Sequence, residues 1–292
     1  MIDIHTHTIY SDGSFSVKEL LKEAESKKLT LLSITDHNTI SAYYELKDSN
    51  IRCLFTGNII SGIEITTTYK GETIEVLGYG FDLDIMQKFL NDNVLTFEKK
   101  QLKEYELIKS QYKKIGVIFD ENNIVFNPKI ESSRGSFLKE IKRYPENYKY
   151  FLKKESITLE NSFTRNEVYN PKSKLYVDET SLFPSLEKVI VMIHKSGGLA
   201  FLAHPFVYSH NIVNELINII ENYSLDGLEC FYTMFTKDQT NYLVNLCNDK
   251  KLFKSGGSDF HGTRKSNHNL GIGSGNLKIE ESIVTDWINK CL

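Results

Sequence analysis

Two histidines one residue apart, His5 and His7, open the chain in the string Asp3-Ile4-His5-Thr6-His7, and the spacing returns near its end as Asp259-Phe260-His261. On an extended strand, side chains at i and i+2 point to one face, so each pair presents two donor atoms to a single cation. Between them stand Asp12-Gly13, Asp36-His37-Asn38, Glu64 and His204-Pro205. Imidazole nitrogens and carboxylate oxygens are the ligands that zinc, manganese and iron take from proteins. A lone His-x-His is equally compatible with a buried or surface histidine pair. Here five of only eight histidines stand beside carboxylates or in series with them, and that repetition argues for one shared site. Carboxylates gathered in a dry pocket repel one another, so such a site holds together only around cations.

The elements that must carry these residues are legible in the hydrophobic periodicity. Residues 2–7 read as a strand, and Ser16-Val17-Lys18-Glu19 is a capping box whose helix buries Val17, Leu20, Leu21 and Ala24. Further strands are expected at 31–35, 59–65 and 73–79. After Pro184 come a helix at 186–195 stopped by Gly197-Gly198, a strand at 199–203, a helix at 211–223, a strand at 225–231, a helix at 237–250 and a strand at 252–255. This alternation predicts βα units around a parallel sheet. Six or seven strands with polar clusters at their ends predict a barrel whose site lies at the C-terminal mouth.

From Asp82 to Phe183 the character changes to Lys-, Glu- and Tyr-rich sequence, with Ile85, Met86, Phe89 and Leu90 starting one amphipathic stripe. Residues 99–154 hold 14 Lys+Arg against 7 Asp+Glu. That surplus suits either an anionic ligand or a solvated helical face. No clear period survives between Ser156 and Asp178.

The 292 residues, 40% of them hydrophobic, suffice for a full core. No run of about eighteen apolar residues is present, and no basic segment leads into an apolar one, so neither a membrane span nor export is expected. Cys53, Cys230, Cys247 and Cys291 form no CxxC pair, which fits a reducing cytoplasm rather than a zinc knuckle or a disulfide framework.

Taken in order, IDIHTHTIYSDG, SITDHN, GIE, AHP and GSDFH resemble the PHP (polymerase and histidinol phosphatase) family of metal-dependent phosphoesterases. The resemblance covers about 1–80 and 185–275. It implies an α/β fold: a distorted (β/α)7 barrel made of 1–81 and 184–292, with a mainly helical, substrate-capping insertion at 82–183. It further implies two or three divalent ions, Mn2+, Fe2+ or Zn2+. One would take His5, His7, Glu64 and Asp259, another Asp12, His37 and His261, and a third Glu64 with His204. Glu75 stands where the family usually has histidine; it either ligates, favouring manganese or iron(II), or faces water.

Ser133-Arg134-Gly135-Ser136-Phe137 is similar to a Ser-Arg-x-His-Phe stretch by which related nucleotide phosphatases approach the substrate phosphate. Arg134 is thus the candidate phosphate clamp, with Ser136 replacing the family's histidine. Val207 stands where relatives often have arginine. His268 is a candidate proton donor, His194 reads as a packing residue on a helix, and His210 reads as a loop residue.

The activity implied is hydrolysis of phosphomonoesters, of a nucleotide or another small phosphorylated metabolite, by a metal-activated water. The alternatives are a 5′-3′ exonuclease on short oligonucleotides, a histidinol-phosphate phosphatase, an amidohydrolase, or a non-catalytic metal-binding module. No membrane and no obligatory protein partner are expected.

Overall fold

The computed structural model describes residues 1–292 and divides into two compact units, 1–94 with 184–292, and 95–183. The first unit is built on one seven-stranded sheet whose strands neighbour one another in chain order. They are β1 (Ile2–Asp3), β2 (Leu31–Ile34), β3 (Asn58–Tyr69), β4 (Glu72–Tyr79), β5 (Leu199–Leu202), β6 (Gly227–Tyr232) and β7 (Phe253–Gly257). Beyond β1 and β7 the chain closes the sheet on itself, because Asp259 N donates to His5 O at 2.9 Å and His7 N donates to Phe260 O at 2.8 Å. The result is a barrel, as expected, with shorter regular pairing in the first strand than the span 2–7.

The sheet is not parallel throughout. β4 runs antiparallel to both β3 and β5, while the other neighbours pair in parallel. The cause is local: Tyr69 pairs with Glu72, leaving only Lys70 and Gly71 to make the turn, at φ 47° and 85°. Two residues in the left-handed region make a hairpin and are far too few for a crossover.

Helices pack outside the strands through their apolar faces. Val17–Ser26 carries the expected capping box and buries Val17, Leu20, Leu21 and Ala24; each fully buried leucine contributes about 1.5–3 kcal/mol. In Leu83–Asn93, Met86 and Leu90 join the core of this unit, which is why its boundary falls after Val94 rather than near Asp82. The helix expected at 211–223 is broken into His210–Asn214 and Leu216–Asn222. Glu215, at the break, accepts hydrogen bonds from Tyr69 Oη, Lys70 Nζ and Asn218 Nδ2. A second apolar cluster joins Ile2, Ile4, Leu77, Tyr79 and Phe201 to Trp287 of the C-terminal stretch.

The second unit centres on helix Phe97–Ile115, stopped by Gly116 at φ 80°, and helix Ser133–Ile141, with Ile108, Tyr112, Phe137, Phe163 and Leu175 in its core. Within 156–178 the chain forms short irregular turns. The buried Glu167 holds them by accepting from Leu152 N, Lys153 N and Ser173 Oγ. No helix of the protein is long and apolar enough to cross a membrane.

Candidate metal centre

The nine histidines and carboxylates singled out as ligands come together in the first unit. Glu64 is the hub. It lies within β3, and its Oε2 is 3.3 Å from Nε2 of both His5 and His7 and 3.2 Å from His37 Nδ1, while Oε1 is 2.9 Å from His204 Nε2. Asp259 Oδ1 lies 3.2 Å from His7 Nε2, 3.3 Å from His261 Nδ1 and 3.6 Å from His5 Nε2. Asp12, half exposed, brings Oδ1 to 3.1 Å from His261 Nε2 and 3.8 Å from His7 and His37. Glu75 does not simply face water: it reaches His37 Nδ1 at 3.3 Å and His204 Nε2 at 3.4 Å.

His268 is at the edge of this cluster, with Nδ1 3.2 Å from the Asp259 carbonyl. His194 lies apart, paired with Asp226 at 2.7 Å, as a packing residue would be. His210 begins a short helix. Arg134 belongs to the second unit, where Nε lies 3.1 Å from Glu104 and the guanidinium also bonds the Tyr169 hydroxyl.

Whether cations suit this pocket is tested by the nitrogens. His5 Nε2, both nitrogens of His7, His37 Nδ1, His204 Nδ1 and His261 Nε2 are buried without a hydrogen-bond partner. Each such atom costs about 1–3 kcal/mol. Five neighbouring imidazoles carry them, and each neutral ring has one nitrogen lone pair to give a cation. Donor atoms of His7, Asp12, His37 and His261 lie within 4.8 Å of one another, as do those of His5, His7 and Glu64, and those of His37, Glu64 and Glu75. The donor set is nitrogen and oxygen only, which suits Mn2+, Fe2+ or Zn2+.

The charges are strongly interdependent. Burial works against ionising Glu64, but the neighbouring His5 and His37 hold its carboxyl well below the usual range. Burial works against ionising Asp259 too, but the adjacent His7 and His5 imidazoles hold its carboxyl low. Burial lowers the imidazole pKa of His7 and His204, yet the adjacent carboxylates of Asp259 and Glu64 bring His7 up to about 9, and those of Glu64 and Glu75 bring His204 up to about 10. Without cations, protons therefore neutralise the pocket; metal binding must displace them.

Several buried groups aim these side chains. Glu229, fully buried on β6, takes His5 Nδ1 at 2.8 Å on one oxygen and the backbone N–H of His204 at 2.8 Å on the other, so His5 offers Nε2 to the centre. Asp36 accepts from Thr8 N, Thr8 Oγ1 and Ser11 Oγ, bending the loop that delivers Asp12. Gly13 follows because a Cβ there would come within 2.5 Å of His7 O. Asp3 ties Ser258 and Gly271 beneath the last ligand pair. Asn38, His204 and Asp259 sit at φ 58°, 26° and 55°, strain that collects at the turns carrying the candidate ligands. Sequence reasoning missed Glu229, Tyr232 and Lys265 of this neighbourhood. For Glu229 the signal was present: one carboxylate inside the otherwise apolar Gly227-Leu228-Glu229-Cys230-Phe231.

Comparison with known proteins agrees with this geometry. The sequence profile of the PHP domain matches residues 3–231. A 5′-3′ exoribonuclease of Haemophilus influenzae is 26% identical over 264 residues, covering 89% of each chain. A 3′,5′-nucleoside bisphosphate phosphatase of Chromobacterium violaceum is 22% identical, covering 92% of this chain and 90% of the relative. In fold, a Bifidobacterium adolescentis protein assigned as a metal-dependent phosphoesterase superposes with a TM-score of 0.64 at 19% identity, over 100% of this chain and 96% of its own. The chain belongs to the PHP domain family and is a hydrolase of phosphoester bonds.

Proposed function

We propose that this chain hydrolyses phosphomonoesters of nucleotides or other small phosphorylated metabolites at a centre of two or three divalent ions. The observation that carries the reading is the gathering of five histidines, Asp12 and Glu75 around Glu64 and Asp259, with buried imidazole nitrogens on all five rings lacking a hydrogen-bond partner. In this reading His5, His7, Glu64 and Asp259 would hold one ion, Asp12, His37 and His261 another, and Glu64 and His204, with Glu75, the third. Glu75 shifts the preference toward manganese or iron(II). Such ions, when bound, lower the pKa of a water toward neutrality and offset charge on phosphoryl oxygens.

The protein's own part is positioning. Glu229 fixes the His5 ring, Asp36 fixes the Asp12 loop, and the neighbouring imidazoles keep Glu64 and Asp259 ionised against their burial. His268 is our candidate for assisting the leaving oxygen. Arg134 is our candidate clamp on the substrate phosphate, its planar fork held by Glu104 and Tyr169. The four cysteines are all unpaired, which supports a reducing cytoplasm as the place of action.

A second reading is favoured by a specific observation: three relatives at 26% identity carry the name 5′-3′ exoribonuclease. Stepwise removal of 5′ nucleotides from short RNA would use the same centre on a diester. Manganese-loaded protein offered adenosine 3′,5′-bisphosphate, a short 5′-phosphorylated RNA and histidinol phosphate decides the matter. We expect release of inorganic phosphate from the bisphosphate; mononucleotide release from RNA alone would install the second reading. No hydrolysis of any of the three, with less than one equivalent of metal bound, would reduce the chain to a non-catalytic module.

A further inference from the structure

The two oxygens of the Asp259 carboxylate keep different company. Oδ1 faces His5, His7 and His261. Oδ2 accepts from the buried Tyr232 hydroxyl at 2.8 Å and lies 2.9 Å from Lys265 Nζ and 3.5 Å from His268 Nδ1. Lys265 is the only Lys or Arg whose side chain is ion-paired to a carboxylate of the centre; Arg264 beside it donates instead to the Asp12 backbone carbonyl at 3.1 Å. Both ride on the loop after His261, which is fastened to the Asp12 loop because Thr263 N donates to Ser14 Oγ at 2.8 Å and Ser14 N donates to His261 O at 3.1 Å.

Three features set Lys265 apart from a purely structural partner. With the Tyr232 hydroxyl donating, Oδ2 is satisfied without the ammonium. The Lys265 side chain is 39% exposed, while the Asp259 carboxylate it meets is buried. An ammonium has three N–H donors on a flexible stem, and one of them meets Asp259. Once Asp259 shares its charge with a divalent ion, its hold on Lys265 weakens, and a dianionic phosphoryl group at the same rim becomes the stronger partner.

We propose that Lys265 is a phosphoryl-contacting residue of this centre, parked on Asp259 Oδ2 in the free protein and passed to a phosphoryl oxygen when substrate or product phosphate enters. The inference rests on the phosphoesterase reading above. It assigns the first unit a cation of its own for substrate binding.

The test uses the full chain reconstituted with Mn2+, as wild type, Lys265→Ala and Lys265→Arg. Three quantities are read: metal equivalents by elemental analysis, orthophosphate affinity by calorimetry, and KM against kcat for p-nitrophenyl phosphate. Lys265→Ala should keep its metal, bind orthophosphate about tenfold or more weakly, as loss of one charge-assisted hydrogen bond predicts, and raise KM in proportion. Lys265→Arg should recover most of that loss. Orthophosphate affinity within twofold of wild type in Lys265→Ala overturns the proposal. So does loss of metal in Lys265→Ala with orthophosphate affinity restored at saturating Mn2+, since Lys265 would then only position Asp259. A metal-loaded wild type that neither binds orthophosphate nor cleaves the ester refutes the phosphoesterase reading itself, an outcome distinct from failure of Lys265 alone.

Discussion

Replacing Glu229 by Gln isolates what a buried carboxylate outside the ligand set does for metal affinity. In the wild type its two oxygens serve two donors, His5 Nδ1–H and the His204 backbone N–H, each at 2.8 Å. A glutamine amide has one acceptor. If its oxygen keeps His5, its NH2 faces the His204 N–H, donor against donor; if it is turned round, His5 loses its partner. One buried hydrogen bond is therefore unmade in either rotamer, at about 1–3 kcal/mol, which corresponds to about 5- to 150-fold in an equilibrium constant. Because both donors belong to residues of the centre, the penalty should fall on metal binding. We expect Glu229→Gln to weaken apparent Mn2+ affinity by about 10–100-fold, measured by chelator competition. The exposed Glu187→Gln serves as control and should leave affinity unchanged. Wild-type metal affinity in Glu229→Gln, with an unchanged fold by circular dichroism, would refute the claim that Glu229 aims His5 and His204.

Other perturbations follow from the same arrangement. Asp259→Ala and His37→Ala should each nearly abolish turnover while keeping the fold, checked by phosphate release beside thermal melting. Mn2+ at about one hundred times its Kd should stabilise the protein by about 2.7 kcal/mol over the chelated form, a rise of roughly 4–5 °C in melting temperature. His7 and His204 are raised to about 9 and about 10. In the metal-free protein their stabilisation is complete below about 6.5 and is lost as pH climbs through 9 to 10. Apparent Mn2+ affinity should run the other way, rising with pH, and a pH-independent affinity would contradict the proton competition. In the second unit, burial and the neighbouring Glu104 push Glu179 up to about 8. A raised carboxyl costs stability as pH rises from about 4.5 toward 8, so Glu179→Gln should match wild type near pH 4.5 and exceed it at pH 8.5 by thermal melting.

Much of this protein is legible in its residues, for identifiable reasons. Ser16 and Glu19 specify a helix start by hydrogen bonds three residues apart, and the ligand motifs declare themselves by spacing. What escaped depends on partners distant in sequence or on side-chain bonds to the backbone. The reversal of β4 hangs on the Lys70-Gly71 turn, and a strand's hydrophobic pattern carries no information about its direction. The helical pattern is interrupted at Glu215, whose carboxylate accepts from Tyr69 and Lys70, partners far away in sequence. The stretch 156–178 lacks a period because its buried apolar residues, Phe163, Val168, Leu175 and Val177, sit on short turns tied together by Glu167 rather than on one regular element. Glu75 was recognisable as a departure, but its reach to His37 and His204 needed the barrel to be closed. The pairing of Arg134 with Glu104, thirty positions earlier, has no sequence signature.

Anomalous diffraction at the manganese edge from Mn2+-soaked crystals addresses the central claim most directly. We expect two or three peaks, each within about 2.0–2.3 Å of a His or carboxylate ligand atom and gathered around Glu64. Coordinates preserving His5, Glu64, His204 and Asp259 as described, with no anomalous peak among them at saturating Mn2+, would contradict it.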